Sequence, residues 1–197
     1  RDPEKVTRWY DHRRLMCLGC APNAGHRSLA ALQSAVEGRG GRFILVTQNV
    51  DRLHQNAGST GVIELHGSIL TWRCTACGRE GEERGGPFDH YPPLCGACEG
   101  PRRPGVVWFG EMLPPQALAM AEDAAGACDL FLSVGTSSQV YPAAGVIETA
   151  MRSGANVAEV NIELVSAETR SVSSKEIESR WREKTGAIAD VLELVFD

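Results

Sequence analysis

The stretch "LFLSVGTSSQVYPAAGVIETAMRSGANVAEVN", residues 130–161, reads as strand, helix and strand. "LFLSVGT" at 130–136 and "NVAEVN" at 156–161 are short and apolar on both faces, the character of strands buried in a parallel sheet. Between them, "PAAGVIETAMRSG" has helical periodicity and stops at Gly154. Parallel neighbours need a crossover of this kind, and the whole makes a βαβ unit of about 30 residues. "RFILVTQN" at 42–49 has the same apolar character and predicts a further buried strand. The expected fold is α/β, a doubly wound, Rossmann-like parallel sheet.

Two helices are expected ahead of that sheet. Asp2 can cap the first, with Pro3 at its first helical position and Val6, Trp9 and Met16 as its apolar face. Leu29, Leu32 and Val36 mark the second, over 24–37, which ends at Gly38. Near the end of the chain, "SKEIESRWREK" reads as a charged, solvent-facing element and "TGAIADVLELV" as a closing helix.

The middle of the chain follows a different pattern. Cys74, Cys77, Cys95 and Cys98 form two C-x-x-C knuckles at the spacing of a four-thiolate zinc site. Two disulfides are the alternative, expected in a secreted chain. Four sulfur ligands leave no open position, so such a metal is structural. The polar, Gly- and Pro-rich segment between the knuckles has little to bury, so zinc would supply most of its folding free energy. We expect a small zinc domain at 72–104 inserted into a domain made of 1–71 and 105–197. Cys17 and Cys20 form a third C-x-x-C, read as an incidental loop pair.

With 43% hydrophobic residues in 197, the chain can bury a core. A formal charge of −5 and the lack of a basic patch argue against direct nucleic-acid binding. No apolar run approaches the roughly 20 residues of a membrane span. The opening "RDPEKVTRWY" has no signal-peptide character and no initiating Met, and an upstream segment is expected. Thiolates kept reduced imply an intracellular compartment: mitochondrion, cytoplasm or nucleus.

Ligands of doubly wound folds bind beyond the carboxyl ends of the strands. There the sequence turns polar: Gln48, Asn49, Asp51 and His54 after the first strand, His66 after "VIEL", Gly135, Thr136 and Ser137 after "LFLSV", and Asn161 and Glu163 after "VAEV". Any one such group can be a local cap or turn. Their recurrence at four strand ends suggests a nucleotide, with "GTSS" facing phosphate and Asn161 or Glu163 facing ribose. His66 is the candidate proton acceptor, since imidazole titrates near neutral pH, and a satisfied loop histidine is the alternative.

Taken together, "TQNVDRLHQNAG", "ELHGS", the two knuckles, "RPGVVWFGE", "SVGTSS" and "EVN" resemble the sirtuin family of NAD-dependent protein lysine deacylases in order and approximate spacing. The resemblance runs from about residue 22 to 163 and implies NAD as cofactor, a structural Zn2+ and an acyl-lysine peptide as substrate. It implies that His66 is the general base on the nicotinamide ribose, with Gln48, Asn49 and Asp51 around the nicotinamide and its ribose. Gly135, Thr136 and Ser137 would lie near the phosphates, and Asn161 and Glu163 near the adenosine. Val107, Phe109, Gly110 and Glu111 would pair in strand fashion with the substrate. Tyr10 and Arg13, three apart on the first helix, look like the Tyr-x-x-Arg of class III members, which accept succinyl-, malonyl- or glutaryl-lysine. An Arg fork suits a distal carboxylate. Sirtuins also open with a strand and a glycine-rich phosphate loop; no counterpart occurs here, and no G-x-G-x-x-G is present. Other readings therefore stay open: a zinc-containing interaction module without activity, a deacetylase, or a mono-ADP-ribosyltransferase.

Overall fold

A computed structural model describes residues 2–136, 141–160 and 176. The chain divides into two compact units, 1–124 and 125–197. The expectations for Ser137, Asn161, Glu163 and both C-terminal segments lie outside the described residues.

The first unit opens with α1 (Pro3–Leu18), where the Asp2 carboxylate accepts from the Lys5 N–H and Pro3 occupies the first turn. Next comes α2 (Ala24–Glu37), capped by Asn23 and closed at Gly38. The second helix has its expected bounds and the first its expected start, but α1 buries a different face. Val6, Trp9 and Met16 were expected inward; Trp9 is 52% and Met16 59% exposed, while Thr7, Asp11 and Arg14 are buried. The reason is polar. Asp11 and Arg14 pair at 2.6 Å with 1% and 0% of their side chains exposed. Arg14 also donates to the carbonyls of Glu83, Gly85 and Gly86, and the second Asp11 oxygen accepts from the Phe88 N–H and the Tyr91 hydroxyl.

Beyond α2, β1 (Val46–Thr47), α3 (Leu53–Asn56) and β2 (Ile63–Glu64) follow, with β1 and β2 paired in parallel. An antiparallel sheet comes next, ordered β4 (Glu80–Glu82), β3 (Gly67–Cys74), β5 (Arg102–Val106). Strand β3 is buried along most of its length because both neighbours and α1 pack on it. Ile69, Leu70 and Val106 form the core there, joined by Tyr10, Cys17, Leu18, Val50 and Trp108. Helix α4 (Pro115–Gly126) leads toward the second unit.

That second unit is the βαβ unit: β6 (Leu130–Val134), α5 (Gly145–Arg152) and β7 (Asn156–Val160), with β6 and β7 parallel and in register from Leu130↔Asn156 to Val134↔Val160. The expectation that the strands are buried on both faces fails. Leu130 is 58% and Leu132 40% exposed, and Ile44 ahead of β1 is 37% exposed. Among the described residues each parallel sheet has two strands, and α5 packs against β6 and β7. No helix among the described residues is long and apolar enough to cross a membrane.

Removing one member of the buried Asp11–Arg14 pair strands the other charge away from water, a cost of about 3–5 kcal/mol. Arg14→Ala is expected to lower the stability read from urea unfolding by that amount. Glu4→Ala, which breaks only the exposed pair with Arg8, is expected to cost under about 1 kcal/mol.

Candidate functional site

The two knuckles are built alike. At the end of β3, the Gly78 N–H returns to the Cys74 carbonyl at 3.1 Å; in the second knuckle the Glu99 N–H returns to the Cys95 carbonyl at 2.8 Å. Gly78 and Glu99 both take positive φ, 74° and 58°, as such a tight return requires. The turns aim N–H groups at the first sulfur of each pair. Those of Cys77 and Ala76, each 3.4 Å from Cys74 Sγ, draw that thiol down to about 6. The Ala97 N–H, the larger influence, and the Cys98 N–H lower Cys95 likewise.

The four sulfurs all lie within 4.8 Å of one another, with Cys74 to Cys98 at 3.5 Å and Cys77 to Cys95 at 3.8 Å. A tetrahedral zinc at the usual Zn–S length needs sulfur pairs about 3.8 Å apart, so the donor set and its spacing fit a structural zinc. Gly100 closes the site from one side. A β-carbon there would lie 3.1 Å from Cys74 Sγ and 2.7 Å from the Ala76 β-carbon.

His66 stands at the junction of β2 and β3, half-buried, with Nδ1 3.0 Å from the Gln48 carbonyl oxygen. A carbonyl can only accept, so Nδ1 carries a proton, and in the neutral ring Nε2 then keeps its lone pair. Gln48 belongs to the loop that follows β1. Three contacts fasten this loop to the start of β3: Gln48 to His66, the Ile69 N–H to the Val50 carbonyl at 2.9 Å, and Arg52 Nε to Ser68 Oγ at 3.2 Å. Asn49 and Asp51 are half-buried in the same loop. The Asn49 N–H donates to Thr47 Oγ1, and Asp51 accepts from the Leu53 N–H at 2.8 Å, opening α3. His66, Gln48, Asn49 and Asp51 therefore belong to one fastened segment of the first unit. Gly135, with φ +64, and Thr136 follow β6 in the second unit.

Tyr10 is half-buried against the Ile69, Leu70 and Val106 cluster, its ring stacked 6.0 Å from that of Trp108. Arg13 is exposed, its guanidinium 4.9 Å from the centre of the Trp9 ring. Of Val107, Phe109, Gly110 and Glu111, expected to pair in strand fashion with a substrate, the last three lie in a turn over 108–111. β5 ends at Val106, the Val107 N–H is bonded to the His66 carbonyl, Gly110 has φ +85, and the Glu111 N–H returns to the Trp108 carbonyl. Arg103 holds that turn through both oxygens of Glu111, at 2.5 and 2.9 Å. The arginine also holds the Glu111 carboxyl below its ordinary value, with help from the Trp108 N–H against desolvation. Phe109 is fully exposed at the tip.

Sequence reasoning missed two groups here. Arg52 carries no local signal for its left-handed backbone, φ 66°. His54 reads only as polar in the sequence, yet it is buried, its Nδ1 has no partner among the described residues, and its ring lies 4.6 Å from that of His26. Burial first, then the His26 charge, lower its pKa; Asp51 opposes them.

Residues 1–142 match the family model described as the Sir2 family. The NAD-dependent protein deacylase of Aquifex aeolicus is 47% identical over 163 residues, spanning 83% of this chain and 66% of that protein. A solved structure described as a Sir2 homolog–NAD complex matches with a TM-score of 0.74 at 42% identity, over 81% of this chain and 61% of that one. Another, described as Sir2 bound to acetylated peptide, matches at 0.73 and 32% identity, over 93% of this chain and 79% of that one. The chain thus spans less than two thirds of the Aquifex protein and of the NAD-complexed chain.

Cys77→Ser, or treatment with a zinc chelator, is expected to release the metal and unfold the module between the knuckles, read as zinc content and as loss of the buried Trp72 fluorescence signal. An unchanged spectrum after metal loss would count against the zinc reading. His54 supplies a pH dependence. Its folded pKa lies below the ordinary 6.5, so the unfolded chain binds the proton first, and stability present above that pH is lost as pH falls through the folded pKa. The difference in unfolding midpoint between wild type and His54→Gln is expected to narrow on acidification from pH 7, and a constant difference would remove His54 as the cause.

Proposed function

This chain belongs to the Sir2 family, and from that membership we propose that it acts as an NAD-dependent protein lysine deacylase. The observation that carries the proposal is the tautomer of His66: a proton fixed on Nδ1 by the Gln48 carbonyl leaves Nε2 as an acceptor. Bound NAD would supply an anomeric carbon made electrophilic by its nicotinamide leaving group. Every other step falls to residues of the chain. His66 Nε2 would be placed to accept the proton of a hydroxyl of the bound ribose. Gln48, Asn49 and Asp51 would line the nicotinamide and its ribose and exclude water there. We assign Gly135, Thr136 and Ser137 to the phosphates and Asn161 and Glu163 to the adenosine, as polar groups after strands do in such folds. The positive φ of Gly135 supports a close backbone approach.

The substrate we propose is an acyl-lysine peptide. The relative described as bound to acetylated peptide supports a peptide, and the exposed Phe109 at the tip of the turn offers an apolar contact for one. Val107, Gly110 and Glu111 are assigned to the same surface, as the turn that presents Phe109.

We further propose a preference for succinyl, malonyl or glutaryl over acetyl groups. Arg13 is exposed and able to meet a carboxylate, and Tyr10 is held beside it by Trp108. A hydrogen bond to a charged group contributes about 1.5–3 kcal/mol, or roughly 10- to 150-fold in selectivity.

His66→Ala is expected to lower nicotinamide release in the presence of an acyl-lysine peptide by about 10²- to 10⁴-fold, the range of general acid–base catalysis. A variant as active as wild type would remove His66 from the reaction. Arg13→Ala is expected to lower the succinyl-to-acetyl ratio of kcat/KM by about tenfold or more. An unchanged ratio would discard the Tyr10 and Arg13 assignment and leave acetyl-lysine as the substrate.

A further inference from the structure

Arg52 sits between Asp51 and α3 with φ 66° and ψ 17°, a left-handed conformation that glycine adopts freely and a long side chain does not. Among the described residues, one other non-glycine, Glu99, has positive φ. A strained position persists only where its surroundings hold it, and here three groups do so. Arg52 Nε lies 2.7 Å from Glu64 Oε1 on β2 and 3.2 Å from Ser68 Oγ on β3, and Nη1 lies 3.1 Å from Glu82 Oε1 on β4.

These three partners lie on different strands. Glu64 is itself held by Gln55 Nε2 of α3 at 2.8 Å, and Ser68 is 2% exposed, its hydroxyl accepting from the Leu70 N–H. Glu82 belongs to the strand that leads out of the first zinc knuckle. One guanidinium therefore joins the loop after β1 to the parallel pair, to the buried start of β3 and to the zinc-bearing sheet. That loop also carries the carbonyl of Gln48, the acceptor for His66 Nδ1.

We infer that Arg52 is a positioning residue for the His66 base: its three-strand clasp holds the 48–52 loop so that the Gln48 carbonyl fixes the proton on Nδ1 and leaves Nε2 free to accept. The inference rests on the reading of His66 as the proton acceptor, and it deepens that reading without adding a reacting group. Arg52 is assigned no contact with substrate. It acts through the loop.

The test uses Arg52→Gly and Arg52→Lys. Glycine relieves the backbone strain while removing the guanidinium, so the fold keeps its turn and loses only the clasp. Lysine keeps a charge without the planar fork. The first readout is the tautomer of the His66 ring, by nitrogen–proton correlation NMR on labelled protein, with His66→Asn assigning the signal. Wild type is expected to show the Nδ1–H form, and Arg52→Gly a mixture including the Nε2–H form. The second readout is deacylation with an acyl-lysine peptide. Arg52→Gly is expected to lose at least tenfold in kcat with zinc content and melting temperature near wild type, and Arg52→Lys to recover part of that loss.

A wild-type Nδ1–H signal in Arg52→Gly would overturn the inference, whatever the activity. So would a kcat that falls only in proportion to the fraction unfolded. If the ring tautomer shifts as expected while wild type releases no nicotinamide from NAD, the positioning role stands and the deacylase reading falls.

Discussion

A buried arginine on the first helix governs how the first unit can be assembled. The Arg14 side chain is 0% exposed, and a guanidinium in that position is tolerable only if its five N–H groups all find acceptors. They do, with two bonds to one oxygen of Asp11 and three to the carbonyls of Glu83, Gly85 and Gly86. The carbonyls come from a segment about 70 residues away that lies between the two zinc knuckles. The segment must fold back onto α1, and α1 must turn this face toward it. Once its rotation about its own axis is set, Tyr10, one residue before Asp11, falls against Trp108 and the Ile69, Leu70 and Val106 cluster. The pair therefore contributes orientation more than net stability, because its desolvation offsets much of its Coulomb attraction.

The same principle, a polar group whose partner leaves it one option, recurs at the candidate base. Nothing about an isolated imidazole selects which nitrogen carries the proton. A carbonyl 3.0 Å from Nδ1 selects it. The carbonyl is useful only if its loop is fixed, and the loop is fixed by a zipper of contacts at residues 48, 50 and 52 against 66, 69 and 68. The position of a proton on one ring thus depends on contacts several residues away.

These two arrangements also mark where the sequence could and could not be read. The knuckles were legible because two-residue spacing between thiols is a local property, and a metal site needs little else. The start of α1 was legible because Asp2 and Pro3 act within the first turn. The buried face of α1 was not. A periodicity count assigns Arg to solvent, and the acceptors that reverse the assignment lie far along the chain. Strand burial was overestimated for a related reason: apolar character shows that a segment can be buried, whereas Leu130 and Leu132 depend on what packs over them. Arg52 in a left-handed turn has no local signature at all, since its strain is balanced by residues on three different strands. His66 could be picked out as a histidine beyond a strand, but its protonated nitrogen could not.

One eight-residue strand joins the four-cysteine cluster to the candidate base. β3 begins at Gly67, directly after His66, and ends at Cys74, the first zinc-type ligand. Its near end is constrained by contact. Gly67 has φ +75, and a β-carbon there would lie 2.0 Å from the Gly105 carbonyl oxygen, so β5 can approach only a residue without a side chain. Its far end is constrained by the sulfurs that Cys74 shares with the second knuckle. Between those ends the register against β5 shifts between Ser68 and Trp72, so the strand is not a uniform rod. Such irregularities increase local twist, so the two ends of one strand need not share an orientation. A closed four-thiolate centre performs no reaction itself, yet by anchoring β3 and β5 at one end it bears on where the imidazole stands at the other.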